Sequence, residues 1–346
     1  IGTLIVTRGR TARWRLTRLW YATTWRATRA LVLRIPEGPA ELLLNIYPAL
    51  SLLGLLLVWL VTLMLGWALV YWGLDVHIAG AADWGGTVAF AGSSLLAPSY
   101  ATVRGAGDEL LTLLETVTGL GTIALLISYL PALYGAYSRR EARLLTLDDP
   151  GGGRLTPVGV IAGRAAGRDV EQLYRFCAEW EMWTAEVLES HVSYPMLALF
   201  RSQHAGQSWI TALGVVTDAA TLSSACIEGA DRREPYFLSQ RGRRAVVDIA
   251  ARLHVPHTPA TSTWLVRDNF ELAWGGLAEL EVPLRDREEA WQRLQDLRAP
   301  YGQRLEELIE YLVAPHGFWG HSAEGSVARE VALARAEARA RREPRA

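Results

Sequence analysis

Glu115 stands alone in an apolar stretch, "LLTLLETVTGLG", and a carboxylate in such surroundings has two uses. It binds or relays cations along a wet path, or it accepts hydrogen bonds from a neighbouring element and holds that element in place. Either use offsets the cost of keeping a charge in hydrocarbon. Both stay open on the sequence alone, with Ser93 or Ser94 as the donor in the second case. At helical spacing Glu115 shares a face with Thr118, Thr122, Leu126, Tyr129 and Leu133, which is the expected lining of a water-filled cavity. Gly119 and Gly121, with Pro131 ten residues on, are either a hinge in that helix or points of close packing, since membrane helices tolerate all three.

A second group of chemically capable residues lies in "ESHVSYPMLALFRSQHAGQSW", which collects Glu189, Ser190, His191, Arg201, His204 and Trp209. Catalysis, a small-ligand site and a buried connector all fit that composition. His191 and His204 are not at a metal-binding helical spacing, and Pro195 with Gly206 favours the connector. "HVPH" at 254–257 and "HGFWGH" at 316–321 lack the carboxylate or cysteine support that a metal site needs. Cys177 and Cys226 are far apart and without nearby His, which argues against a disulfide framework and against zinc. "GGG" at 151–153 is a linker rather than a phosphate loop, and no Gly-rich dinucleotide fingerprint follows a strand. No enzyme activity, metal or cofactor is expected.

The elements that position these residues divide the chain. Apolar residues concentrate before position 140 and charges after it, so two regions are expected in the 346 residues. Residues 42–74 carry no charge, enough for one membrane-spanning helix, with Trp67, Tyr71 and Trp72 suited to an aromatic belt. Residues 116–138 are a second charge-free run, stopped by Arg139, Arg140 and Arg143. Eight Arg precede Leu42, whereas the loop between the runs carries Asp75, Asp83, Asp108 and Glu109 against Arg104. The positive-inside rule then sets both basic flanks in the cytosol, which requires an even number of crossings. The uncharged stretch 84–103 must enter and leave on one side. Non-helical backbone at membrane depth survives only when protein or water surrounds it, and two helices are too few for that. Several copies around an axis suffice.

Helix, outer re-entrant loop, helix is the plan of the potassium-channel pore, and "VAFAGSSLLAPSYATV" resembles that family's pore helix and filter. Laid on the family's Thr-x-Gly-Tyr-Gly-Asp strand, the filter positions fall on Ala97, Pro98, Ser99, Tyr100, Ala101 and Thr102, of which Tyr100 alone matches. The resemblance covers residues 43–143 and implies a homotetramer passing monovalent ions. The departures imply weaker selectivity, because pointing successive carbonyls inward suits Gly and strains Ser or Ala, and Pro98 removes an N–H. A non-conducting membrane sensor or scaffold on the same plan is the competing expectation, and a membrane-anchored enzyme is a third.

The expected layout is an all-α membrane protein. A basic amphipathic segment, 1–40, mixes Arg with Trp14, Trp20, Tyr21 and Trp25 and suits anionic lipid headgroups better than nucleic acid. The pore domain follows at 41–143, with spans at about 42–74 and 109–138 and the pore helix and loop at about 83–104. A linker, 144–168, leads to an α-helical cytosolic domain, 169–322, and a charged tail, 323–346. Helical patterns run from a capping box at Asp169 and Gln172, then over 206–229, 236–253, 263–282 and 286–313, the last interrupted near Pro300. The chain begins at Ile1 and shows no cleavable signal pattern. An inner cell membrane with both termini cytosolic is the expected location.

Overall fold

The computed structural model describes residues 16–79, 83–96, 103, 105–147, 156–165, 170–202, 208–258 and 265–315. They are helical throughout, with no strand among them and two isolated antiparallel bridges, Ile78 with Val103 and Ile227 with Leu284. The chain divides into two compact units, one over residues 7–135 and one that takes in everything from Ala136 onward. The division falls inside a helix, ahead of the linker expected at 144–168.

In the first unit, α1 (Leu16–Val32) turns at Pro36 into α2 (Glu37–Gly73), and α3 (Trp84–Leu96) precedes α4 (Ala106–Leu144). Asp83 starts α3 by accepting the Gly86 N–H at 2.7 Å, which satisfies one of the donors a helix start leaves over. The 37 residues of α2 and the 39 of α4 extend about 55 and 58 Å, well beyond a hydrocarbon layer of roughly 30 Å. Pro48 and Pro131 sit inside these helices without ending them. Large apolar side chains are exposed along α2 at Leu50, Leu53, Leu57, Val61, Leu65 and Leu69, a face suited to lipid.

The aromatic residues of α1 are spent differently from the expectation of indoles lying in the headgroup layer. Trp20 Nε1 donates to the Ser51 carbonyl at 2.9 Å, Thr24 and Tyr47 share a hydrogen bond at 3.0 Å, and the Trp25 and Tyr47 rings lie 5.3 Å apart. α1 therefore runs back along the start of α2. Gly54 makes the approach possible, because a Cβ there would lie 2.5 Å from the Trp20 ring. Arg18, Arg26 and Arg34 stay exposed, and Trp14 lies outside the described residues.

In the second unit, α8 (Glu234–Leu253) packs between α6 (Glu171–Ser193) and α7 (Trp209–Cys226), with α5 (Pro157–Ala162), α9 (Arg267–Ala278), α10 (Arg287–Arg298) and α11 (Gly302–Tyr311) around them. The elements match the expected helical patterns closely. The break near Pro300 falls between α10 and α11. α6 begins one residue later than the capping box implied: Val170 is its N-cap and makes no side-chain cap, while Asp169 lies outside the described residues.

Three helical segments are long and apolar enough to cross a membrane, Gly38–Gly73, Ala106–Leu147 and Trp209–Cys226. In an apolar 18-residue window of each of the first two only 11% is buried inside the fold, against 94% of the third. A helix apolar on every side is either a membrane span or the centre of a protein core. α7 is enclosed by its own unit.

Candidate functional site

Glu115 is fully buried, and its neighbours come from three helices. Tyr71 of α2 donates its hydroxyl to Glu115 Oε2 at 2.7 Å. Trp67, one turn earlier, donates its indole N–H to Thr118 Oγ1 at 3.0 Å, and Thr118 donates in turn to the Glu115 carbonyl at 2.7 Å. The aromatic pair assigned from sequence to an interfacial belt thus points its polar ends at α4. α3 closes the third side. Thr116 donates to the Ser94 carbonyl at 2.8 Å, Phe90 meets the Tyr71 ring edge-on at 5.3 Å, and Gly92 packs against Met64.

Gly119 carries the contact between α3 and α4. A Cβ at Gly119 would fall 1.8 Å from the Leu95 carbonyl oxygen, so no other residue fits without separating the helices. Close packing, one of the two uses left open for this glycine, is therefore present. Gly121 has nothing within 4 Å of a Cβ, and Pro131 is exposed, so neither is bound to that contact.

Of the face expected to line a cavity, Glu115 and Leu133 are buried, and Thr122, Leu126 and Tyr129 are half-buried. Thr118 is exposed overall but its hydroxyl is engaged by Trp67. The side of α4 that the fold leaves open carries Leu113, Val117, Leu120, Ala124, Ile127, Pro131 and Tyr134. Those spacings alternate between four and three residues, the repeat that a helix uses against a second helix. All six filter-position residues, Ala97, Pro98, Ser99, Tyr100, Ala101 and Thr102, and Arg104 beside them, lie outside the described residues.

The histidine-rich connector of the second unit disperses. Glu189 accepts from Ser193, Arg201 donates to the Val313 carbonyl at 2.9 Å, and His204 lies outside the described residues. His191 and Trp209 stack at 4.3 Å and enclose a residue that the sequence marked only as a stop signal, Arg140. Its guanidinium donates to Glu141 at 2.7 Å, to the Leu197 carbonyl at 3.1 Å and to the Phe200 carbonyl at 2.8 Å. It also donates to His191 Nε2 at 3.4 Å, which assigns the ring proton to Nδ1, where the Val187 carbonyl accepts it at 2.7 Å. Burial first, and the Arg140 charge second, push the His191 pKa down to about 3, so the ring is a neutral acceptor. This is a packed anchor for the last turns of α4. The nearest signal in the sequence was that Arg139 and Arg140 end a run of 23 uncharged residues, which a solvent-facing reading explained equally well.

A second buried network was not foreseen. Asp218, in the middle of α7, accepts from Arg298 at 3.1 Å and from the Tyr301 hydroxyl at 2.6 Å, and Arg298 reaches Glu306 at 3.6 Å. Of the other histidines, His257 pairs with Glu307 at 3.0 Å, a single carboxylate, and His254 ends α8 in the left-handed conformation. "HGFWGH" lies outside the described residues, which hold no group of three or more metal-ligating side chains. Compared with known proteins, the chain matches no family model, no curated protein and no solved structure.

Proposed function

We infer that the chain is one subunit of a symmetric, ion-conducting membrane assembly laid out like the potassium-channel pore. In this reading α2 and α4 cross the bilayer, α3 dips in from the outer side and returns, and the unit beyond Ala136 is cytosolic. The pairing of Ile78 with Val103 carries it: the excursion holding α3 starts and ends at one place, as a segment must that enters and leaves on one face. The depth of the excursion supports it as well. α3 passes Trp72 near its start, with ring centroids 5.7 Å apart, and Met64 near its end, which is eight residues of α2 or about 12 Å of descent.

A helix ending at that depth leaves carbonyls that lipid cannot satisfy. Sister subunits enclose it, and the exposed repeat on α4 from Leu113 to Tyr134 offers them a surface. A homotetramer places Ala97–Thr102 at the narrowest point, where the departures from the potassium filter lead to a wetter and less selective path for monovalent ions. Thr122 and Leu126 are the members of the expected lining left to face a cavity, since Tyr129 lies near Tyr21 of α1, and Gly121 with Pro131 are the positions free to bend α4. Arg18 and Arg26 on α1, with Arg34 just after it, hold anionic headgroups at the inner face.

The test is current through purified protein in planar bilayers under potassium, sodium and chloride gradients. Cation-selective conductance with weak discrimination between sodium and potassium is expected; no conductance under any gradient removes the reading. One observation favours a second reading, a non-conducting sensor or scaffold: four of the five fixed filter positions, Ala97, Ser99, Ala101 and Thr102, depart from the family's pattern.

A further inference from the structure

Glu115 Oε1 and Ser94 Oγ are both buried, and neither has a hydrogen-bond partner among the described residues. They belong to elements pinned at one level. Thr116, adjacent to Glu115, donates to the Ser94 carbonyl at 2.8 Å, and Tyr71, which holds the other Glu115 oxygen at 2.7 Å, packs on Phe90, one turn before Ser94 on the same face of α3. A serine hydroxyl within reach of a carboxylate donates to it. The two atoms do not hydrogen-bond to each other, and a single ligand that satisfied both would bridge them.

Charge decides the nature of the bridge. Glu115 forms no ion pair with a described residue; its one donor, Tyr71, is neutral. A carboxylate in hydrocarbon with a single neutral donor either takes up a proton or keeps its charge with a cation beside it, and the second, unsatisfied oxygen offers a place for that cation. The two unsatisfied atoms are oxygen lone-pair donors, which suit hard cations. A monovalent ion brings the site to neutrality, whereas a divalent ion would leave one net positive charge among apolar side chains. Glu115 also belongs to no group of three or more His, Cys, Asp and Glu side chains among the described residues, as a divalent or transition-metal site would use.

We propose that Glu115 and Ser94 are two ligands of a monovalent-cation site built inside one subunit between α3 and α4, with Tyr71 orienting the carboxylate. The ion ties the end of α3 to α4 at the level of Gly119. The site does not require conduction, and a non-conducting scaffold would hold it equally.

The experiment is thermal unfolding of the purified full chain at fixed pH and fixed ionic strength, with choline replaced stepwise by lithium, sodium or potassium. A cation that binds the folded state alone raises the midpoint saturably. The expected result is a rise of several degrees with one of the three ions, lost in Glu115→Gln and shifted to at least tenfold higher concentration in Ser94→Ala. Should Glu115→Gln fail to fold, Ser94→Ala and the stoichiometry of thallous-ion binding, one per chain expected, decide the matter. A midpoint indifferent to cation identity, one that moves with pH alone, or a cation response unchanged in both variants overturns the site. The last outcome assigns the ion to another part of the protein and leaves conduction untouched.

Discussion

α7 and α4 each hold a lone carboxylate inside an apolar stretch, Asp218 at the centre of α7 and Glu115 in the third turn of α4, and they keep it by opposite means. Asp218 in α7 meets Arg298, Tyr301 and, through Arg298, Glu306, all buried. Glu115 in α4 meets one tyrosine hydroxyl. The enclosed core around α7 neutralises its charge with a guanidinium brought from a distant helix, a partner that desolvation makes indispensable once the acid is there. The membrane-type helix brings no such partner. Two helices of similar composition thus differ in what surrounds them: α7 has protein on every side, and α4 leaves a full face open.

The largest way to break this contrast is to strip α7 of its counter-charge. Arg298→Met leaves Asp218 buried without its cation and is expected to cost about 3–5 kcal/mol, read as a lowered denaturation midpoint of the second unit's helical signal. Arg140→Met acts on the same principle at the anchor of α4 and is expected to cost a similar amount. Gly119→Val tests the membrane side. Its side chain meets a backbone carbonyl rather than a flexible neighbour, so about 2–3 kcal/mol of overpacking is expected, together with loss of any conductance that depends on the position of α3.

Acid sharpens the contrast from the side of the second unit. His191 is held neutral in the fold with its pKa near 3, while the unfolded chain takes up a proton at about 6.5. The unfolded state therefore binds more protons between those values. Stability is complete above pH 6.5 and falls by about 1.4 kcal/mol for each pH unit below it, down to about 3. In His191→Gln that part of the slope is expected to vanish, as measured by denaturant midpoints from pH 7 to 5. The smallest effect is Tyr71→Phe, which removes one hydrogen bond to Glu115 and is expected to cost about 1 kcal/mol.

The helices of both units were legible because their signals are local. Charge-free runs marked α2 and α4, and 3.6-residue periodicity marked α6 and α8. α7 was legible as a helix but not as a centre, since burial on all sides erases periodicity. Glu115 was visible as an ionisable residue in an apolar run, with a cation path and a brace to Ser93 or Ser94 both open as its use. Tyr71 holds it instead: the distance of 44 residues gives no local signal, and Tyr71 fitted an interfacial belt equally well. Arg140 shows the same limit from the other side. A basic residue ending an apolar run resembles a solvated stop, and only the return of Leu197, Phe200 and Trp209 around it makes it an anchor.

The claim that α3 dips into the membrane and returns is tested most directly by single cysteines labelled in intact membranes with an impermeant maleimide. Gly85→Cys at the start of α3 and Glu109→Cys in the first turn of α4 are exposed positions, Met182→Cys marks the second unit, and the native Cys177 and Cys226 are buried. The account predicts that positions 85 and 109 both react from outside and position 182 only after the membrane is opened. Labelling of 85 and 109 from opposite faces would mean that α3 crosses the bilayer, and the excursion inferred from Ile78 and Val103 would be wrong.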